Sequence, residues 1–549
     1  MTTFAAAPPS AHLPSRFPAH VPAPAPVRQY AGWRSLLRLA ARRDRDILPL
    51  WIYILAGSIA STAYSIKGLY PDQASRQSLM AATDSVFGVV ALYGPIQSPT
   101  LGAITAWKIG LIGAVLAAVM SILLVVRHTR AEEQAGRQEL LGAACVGRLA
   151  PLGSALVLVA GADLALALVS AAALGFFTGS WPGALALGLA IGGTGLLFGA
   201  LAALTAQLAE SSRTANAIAA SLLGACYLAR AAADGGGPAW LSWASPLGWL
   251  EHLRPYAGDR WWVLALYPAG ALILTVAAFQ PAKSRDLGTG LLPVRAGAAR
   301  AGRYLRGNGG LAWRLQRGSL AAWTAGYLIA GVTIGAIIKD IGHLMTGSAQ
   351  ADSVIERMGG QGSIVNAYLV VMAGFMGVLA GAYVIPAVLR ARSEESSGHA
   401  ELLLSGPVGR LRWMAAHLTI ALLGSALLLA AYGTGVGLAD GVRSHDVSGL
   451  LPQMLGAALV QWPAVAVLVG LAVLAVGAAP RLAQLAWAPL VAFLLIGVVG
   501  QVLRLSQTVL DLSPFIAAPK LPGTAMTWTD GHGAGVVGRD YRAGLGADR

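Results

Sequence analysis

Residues 103–148 read AITAWKIGLIGAVLAAVMSILLVVRHTRAEEQAGRQELLGAACVGR, an apolar run followed by a charged segment. The apolar run, 103–126, is longer than the roughly 20 residues that a helix needs to cross the hydrocarbon core of a bilayer. It lacks the strand alternation of membrane barrels, and lipid offers no partner for an unpaired backbone group. The run therefore predicts a transmembrane helix, and the charged segment predicts a loop in water.

Similar apolar runs recur along the whole chain. Its 549 residues are 56% hydrophobic and only 12% charged, whereas soluble domains carry about 25% charged residues. This composition predicts an all-α polytopic membrane protein that lies in a lipid bilayer. The predicted spans are 47–66, 103–126, 149–176, 182–206, 214–233, 261–279, 319–338, 366–389, 413–436, 453–477 and 484–503.

The positive charges lie mainly between the spans, and the formal net charge is +14. Arginine and lysine concentrate in alternate segments, most densely in 280–318. This pattern is typical of cytosolic loops, so it predicts a cytosolic amino terminus and no nucleic-acid partner. The nine histidines and two cysteines show no ligand spacing, and we predict neither a metal site nor a disulfide framework.

Several segments outside the spans have their own composition. Residues 1–28, rich in Pro and Ala, predict a disordered cytosolic tail, and 529–549 form a Gly-rich, charged tail. Residues 29–46 include an amphipathic pattern from Trp33 to Asp46, which predicts an interfacial helix. The alternative is an ordinary basic flank of the first span. Residues 280–318 predict a basic cytosolic linker with a second helix of this kind.

The charged segment Arg130–Arg148 occurs a second time as Arg392–Arg410. Ten of the nineteen positions match at a constant offset of 262. Ser245-Pro246 likewise matches Ser513-Pro514 at an offset of 268. We therefore predict two parallel six-helix repeats, 47–279 and 319–528, with a pathway between them. The second repeat shows only five spans, so we count eleven rather than twelve.

Two interpretations of the repeated segment compete. The acidic residues could form a solvated face, with Arg130, Arg148, Arg392 and Arg410 as positive flanks of the spans; Glu133 and Arg137 could also pair four residues apart on one helix. Alternatively, both copies bind the same kind of surface on a cytosolic partner, which we favour because the order of residues is kept. The shared residues that we assign to docking are Arg130, Glu132, Glu133, Gly136, Glu139, Leu140 and Arg148, and Arg392, Glu394, Glu395, Gly398, Glu401, Leu402 and Arg410.

The order of basic helix, two spans, Glu-Glu…Gly…Glu-Leu-Leu loop and late Ser-Pro loop resembles permeases of the ABC-2 type. The doubled arrangement, over residues 30–528, is similar to the actinobacterial exporters of polyketide antibiotics (tetronasin-type). The resemblance implies that each charged segment is a coupling loop that docks one ATPase subunit, so two copies are expected. It also implies an elbow helix at Trp33–Asp46, an external re-entrant or capping segment at 234–260, and a bacterial plasma membrane.

The chain has no phosphate-binding loop of its own. None of its five lysines follows a glycine, so the Gly-x-x-x-x-Gly-Lys-Ser/Thr pattern is absent from the sequence. We therefore expect a non-catalytic membrane subunit without a cofactor, with ATP and Mg²⁺ bound by the partner. The resemblance implies export of apolar or amphipathic compounds such as drugs or antibiotics.

Two polar residues within predicted spans are candidates for the substrate pathway. Asp163 lies near the centre of the third span, where a carboxylate is costly and suggests a function. The alternative is a neutral aspartate bonded to Ser154, to Ser170 or to a neighbouring helix. Gln461 is the second candidate, although we favour a hydrogen bond between helices over contact with a ligand.

Two other classes of function remain open from the sequence. A proton-driven secondary multidrug transporter also fits parallel six-span halves, but a single buried carboxylate offers little for a proton relay. A membrane scaffold or sensor without transport activity fits the missing twelfth span. Sensitivity to an uncoupler would favour the first, and an ATPase rate that ignores substrates would favour the second.

Overall fold

The computed structural model describes residues 29–84, 87–142, 146–292, 300, 302, 305, 307–345, 364–478, 480–499, 506–510, 512–519 and 521. The two predicted tails, 1–28 and 529–549, lie outside these residues. Every regular element in the described part of the chain is a helix. Ten of these helices are long and apolar enough to cross a membrane. The prediction of an all-α polytopic membrane protein is confirmed.

The chain divides into two compact units. The first comprises 1–76 and 96–294, and the second comprises 77–95 and 295–549. The division at 294 falls within the predicted linker, 280–318. Residues 77–95, which follow the first span in sequence, belong to the second unit.

The first unit holds six of the ten long apolar helices. Its helices are α1 (Trp33–Arg43), α2 (Ile47–Leu69), α5 (Leu101–His128), α6 (Arg130–Gln134), α7 (Arg137–Gly142), α8 (Ala150–Thr178), α9 (Trp181–Leu208), α10 (Ser212–Asp234), α11 (Trp240–Ala244), α12 (Trp249–Leu253) and α13 (Leu266–Ala282). Helix α3 (Gln73–Asp84) crosses the division between the units, and α4 (Phe87–Tyr93) lies in the second.

Helix α9 forms the centre of the first unit and packs on α5, α8 and α13. Glycines let its backbone approach α8 closely. A Cβ atom on Gly188 would lie 2.3 Å from the Ala167 carbonyl oxygen, and one on Gly192 would lie 2.4 Å from the Asp163 carbonyl oxygen. Small residues at a helix contact allow this approach in membrane proteins, so the Gly-rich sequence of α9 is a packing feature.

The amphipathic pattern at Trp33–Asp46 forms helix α1, which ends at Arg43 and is followed by Asp44 as its C-cap. The Asp44 side chain is fully buried. Its Oδ1 atom forms an ion pair with Arg127 at 3.0 Å and its Oδ2 atom pairs with His128, both at the end of α5. These contacts hold the break between α1 and the first span against the neighbouring helix.

The second unit is built around α17 (Arg410–Ser444). Its other helices are α4, α14 (Asn308–Met345), α15 (Ile364–Ser396), α16 (His399–Leu404), α18 (Val447–Leu459), α19 (Trp462–Ala478), α20 (Trp487–Val499) and α21 (Gln507–Leu510). Helix α17 packs on α14, α15 and α18. The predicted span 484–503 contains α20, which has 13 residues and is shorter than the ten long spans.

The structure differs from the predicted second elbow helix in the linker. Helix α14 runs without a break from Asn308 through the predicted span. Gln316 occupies the position equivalent to Asp44 at the repeat offset of 272. Its amide lies 3.0 Å from the His417 Nδ1 atom while its backbone stays helical. No separate helix precedes the span in this described part of the second unit.

Candidate functional site

The two repeated charged segments share one backbone design. In each, a helix ends before a glycine with positive φ, +69° at Gly136 and +76° at Gly398. A left-handed conformation favours glycine, which explains why both copies keep this residue. A short helix follows, α7 in the first copy and α16 in the second.

Each short helix presents a leucine on the surface of its own unit. The exposed fraction is 77% for Leu140 and 80% for Leu402. The preceding residues of the repeat, Glu139 and Glu401, are also exposed. A large apolar side chain beside a carboxylate is therefore displayed in the same way twice. We call each pair, Glu139–Leu140 and Glu401–Leu402, the Glu-Leu tip.

Glu133, by contrast, is buried in a cluster of ion pairs. Its Oε2 atom accepts from Arg130 at 2.7 Å and from Arg285 at 2.9 Å. Its Oε1 atom accepts from the Gly288 amide at 2.6 Å. Arg130 is only 1% exposed, and it also donates to the Thr289 carbonyl at 2.9 Å. This carboxylate holds the first loop to the segment that follows α13.

That segment, residues 285–292, forms what we call the linker strap. The Leu291 and Leu292 amides donate to the carbonyls of Gln207 and Leu208 at 3.2 and 2.9 Å. A Cβ atom on Gly290 would lie 2.7 Å from the Glu210 amide nitrogen, so only glycine fits this close approach. The strap thus lies against the end of α9 and beneath the first charged loop.

Glu132 connects the same loop to α1. It pairs with Arg43 of α1 and accepts from the Arg137 Nη2 atom at 2.9 Å. The expected pair between Glu133 and Arg137 was wrong, because Arg137 turns back to Glu132 across the Gly136 bend. Of the partners of Glu133, Arg130 lies three residues before it on the same helix, whereas Arg285 and Gly288 are more than 150 residues away, where spacing along one helix carries no information.

The end of the first loop is fixed by backbone contacts. Arg148 donates from Nε to the Ala282 carbonyl at 3.0 Å. The Gly147 and Leu149 amides each donate at 2.9 Å, to the carbonyls of Ala31 and Gln29 respectively. The loop therefore touches the elbow region, the end of α9 and the linker strap.

The second loop has only local ion pairs among the described residues. Arg390 pairs with Glu394 at 2.9 Å, and Arg392 pairs with Glu395 at 2.6 Å. The Glu395 side chain is 51% exposed, whereas its counterpart Glu133 is buried. Arg410 is exposed at the start of α17. The two loops share their shape but differ in what holds them.

Asp163 is buried at the middle of α8. Both of its carboxylate oxygens lie 2.9 Å from Ser121 Oγ on α5, so the expected alternative of a bond to a neighbouring helix is found, and the partner is neither Ser154 nor Ser170. A Cβ atom on Gly195 would lie 2.2 Å from Asp163 Oδ1, so this glycine makes room for the carboxylate. A charge at the centre of a span costs about 2.5–3.5 kcal/mol on translocon-insertion scales.

Gln461 lies between α18 and α19 and is 4% exposed. Its Oε1 atom has no hydrogen-bond partner among the described residues. A Cβ atom on Gly377 of α15 would lie 3.0 Å from Gln461 Cβ and 3.2 Å from Oε1. The side chain therefore packs against a neighbouring span, and the two pathway candidates lie in different units.

The predicted capping segment, 234–260, is tied to α10 by a buried ion cluster. Arg230 lies 2.6 Å from Asp234 and 2.7 Å from Glu251. Burial has the largest effect on Glu251 and raises the pKa of its carboxyl group to about 8. The Asp234 carboxylate acts in the same direction, and Arg230 opposes this rise. The sequence reading missed this cluster, although an arginine near the end of an apolar span was a usable signal.

Taken together, these features define a class. The protein is a polytopic, all-α membrane protein whose two units each carry a charged loop with a glycine bend and an exposed Glu-Leu tip. Its sequence contains no phosphate-binding loop.

Comparison with known proteins then gives the family. Residues 305–538 match the family model "Multidrug efflux system permease Rv1217c, C-terminal domain". Over 500 residues, the chain is 41% identical to the multidrug efflux system permease protein Rv1217c of Mycobacterium tuberculosis (strain ATCC 25618 / H37Rv). That alignment covers 91% of this chain and 91% of the relative. The chain belongs to the family of multidrug efflux system permeases, and it is a multi-pass membrane permease.

Proposed function

We propose that this chain is the membrane subunit of an ATP-driven exporter of drugs and other apolar or amphipathic compounds. A separate cytosolic ATPase would bind ATP and Mg²⁺ and supply the energy. Family membership supports the export role, and the absence of a phosphate-binding loop from the sequence supports a separate ATPase. The tetronasin-type arrangement of two fused six-span halves is part of this proposal.

One observation carries the proposal most directly, namely the repeated Glu-Leu tip. Leu140 and Leu402 expose most of their surface, and each follows the same glycine bend. An exposed leucine gains free energy when a partner covers it, and the adjacent carboxylate would select a basic rim around the partner's apolar pocket. Two equivalent tips per chain fit two copies of one ATPase subunit.

The other docking residues take two roles in this proposal. Glu132, Glu133, Arg130 and Arg148 lie beneath the first tip and hold its loop in place. In the second loop, Glu394, Glu395 and Arg392 pair locally, and Arg410 stays exposed. The tips would face the cytosol of a bacterial cell, with the amino terminus on the same side of the plasma membrane.

Each unit contains one buried polar side chain that we assign to the pathway for the exported compound. These side chains are Asp163 in the first unit and Gln461 in the second. ATP-driven closure of the two ATPase subunits would pull on the two loops and change the accessibility of this pathway. A hydrophobic small molecule would then leave from the inner side of the membrane to the outside.

The test is ATP-driven transport by the complete exporter in inverted membrane vesicles. Replacing both tip leucines, Leu140→Ser with Leu402→Ser, should lower ATP-dependent drug uptake at least tenfold and leave membrane insertion unchanged. Leu39→Ser is the matched control, because Leu39 of α1 is also 59% exposed but lies outside both loops. Full uptake by the double variant, or equal loss in the control, would refute the docking role of the tips.

A further inference from the structure

The first unit contains a cavity of about 230 Å³ between α8, α9 and the start of α13. Its lining is almost entirely apolar, and Asp163 is the one acidic residue in it. Leu164 lines the cavity and is 54% exposed, whereas Tyr267 on the opposite side is only 1% exposed. The cavity therefore runs from the surface of this unit into its core.

The Asp163 carboxylate has fewer partners than its burial calls for. A hydroxyl carries one proton, so Ser121 donates to one carboxylate oxygen at a time. Among the residues that the structure describes, Asp163 bonds to Ser121 and forms no ion pair with an arginine, lysine or histidine. Buried carboxylates in proteins are normally paired with a positive charge, and the described residues supply none here.

The equivalent site in the second unit lacks the charge. The residue at the repeat offset of 262 from Asp163 is Ser425, which bonds within its own helix to the Leu422 carbonyl at 2.8 Å. Position 121 corresponds to Tyr383. The carboxylate is therefore not needed to pack this pair of helices, because the other copy of the repeat packs without one.

We propose that the cavity beside Asp163 binds the positive group of an apolar amine or quaternary ammonium compound, with the Asp163 carboxylate as its counter-charge. The apolar body of the ligand lies against Leu164, Leu189 and Leu196. Tyr267 adds an aromatic face, which attracts a cation through the charge distribution of its ring. A small apolar pocket with one well-placed polar group is the usual design of a small-molecule site.

This inference rests on the proposed function, because the bound cation is a member of the exported class. It also names that class, namely apolar compounds that carry a positive charge. The opening beside Leu164 lets such a compound enter from the side of the unit. Neutral compounds gain only the apolar contacts and therefore bind less tightly.

The experiment compares two ligands of equal shape on the full-length permease in lipid nanodiscs. The phenyltrimethylammonium cation and its uncharged isostere tert-butylbenzene differ only in the central atom and its charge. The wild type should bind the cation at least tenfold more tightly. Asp163→Asn keeps the shape of the side chain, and it should abolish this preference while the affinity for tert-butylbenzene changes less than about twofold.

The contrary result is equally clear. If Asp163→Asn binds the cation as tightly as the wild type, the Asp163 carboxylate only accepts the hydrogen bond from Ser121 and does not bind the cation, and the proposal fails. A second variant, Ala160→Leu, narrows the cavity without touching the charge and should weaken both ligands. Unchanged binding of both to Ala160→Leu would also overturn the proposal.

The same preparation separates this proposal from the proposed function. Association with an ATPase is measured on the wild type and on Asp163→Asn, and the substitution should leave it unchanged. A permease that prefers the cation but binds no ATPase would refute the proposed function alone. A permease that binds an ATPase and shows no preference for the cation would refute the binding site alone.

Discussion

At the scale of single residues, Glu133 and Glu395 show how one sequence pattern serves two environments. They occupy the same position of the repeat. Glu133 is enclosed by Arg130, Arg285 and the Gly288 amide, while Glu395 has one local partner and a half-exposed side chain. Removing one member of a buried ion pair costs about 3–5 kcal/mol, whereas exposed pairs contribute at most about 1 kcal/mol.

We therefore expect Glu133→Gln and Glu395→Gln to differ sharply. Glu133→Gln removes the negative charge that pairs with the buried guanidinium groups of Arg130 and Arg285, so it should lower the thermal midpoint of the purified permease by several degrees. It should also speed amide hydrogen exchange in the linker strap, 285–292. Glu395→Gln is the matched control and should change neither. Equal behaviour of the two variants would contradict the role of Glu133 as an internal tie.

The hydrogen-bond and ion-pair partners of single residues were the feature that could be predicted least from the sequence. The repeated segment, with its glycine and its Glu-Leu-Leu motif, could be recognised because its residues are neighbours in the sequence. The distant partner of Glu133, Arg285 in the linker strap, was not predictable from spacing along one helix, which suggested Arg137 instead. For Asp163 a bond to a neighbouring helix was one of the expected alternatives, but the sequence did not identify Ser121 as the residue that forms it.

At the scale of elements, the segment between α10 and α13 depends on a cluster that titrates. Arg230 faces two carboxylates, Asp234 and Glu251, and burial raises the pKa of Glu251 from its usual value near 4.5 to about 8. Tyr267 also lies close enough to interact with Glu251, and His252, whose pKa is lowered by burial, is adjacent in sequence. The protonated form of Glu251 is thus favoured by the folded state.

The sign of the pH effect follows from linkage. Because the pKa of Glu251 is higher in the folded state, its contribution to the free energy of unfolding is fully present below about pH 4.5 and is lost as the pH rises to about 8. We expect the unfolding midpoint of the wild type to fall over this window, and Glu251→Gln to remove that part of the dependence. Asp46→Asn, at a side chain that is 86% exposed, is the control. An identical pH profile for Glu251→Gln and the wild type would contradict this account.

The spans themselves were the elements that the sequence predicted best. Long apolar helices follow directly from composition, because lipid forces backbone groups to pair within the segment. The ends of the elements were less predictable. Helix α14 continues through the predicted second elbow helix, and Gln316, at the position of Asp44, bonds to His417. Of the predicted span at 484–503, the structure describes residues up to 499, which include helix α20.

At the scale of the whole molecule, the duplication sets the number of docking tips at two. We propose that one permease would therefore hold two ATPase subunits. The tips are alike in their glycine bend and exposed leucine, but only the first is tied to a linker strap in the described structure. Each tip would therefore bind one subunit, but the loop beneath the first tip would be stiffer than the loop beneath the second.

The most direct test is to count the ATPase subunits on the intact complex by native mass spectrometry. The account predicts two copies on the wild-type permease, one copy on either single variant, Leu140→Ser or Leu402→Ser, and none on the double variant. Leu39→Ser should keep two. A wild-type complex with a single ATPase copy, or a double variant that still carries two, would contradict the claim that the repeated loops are the docking sites.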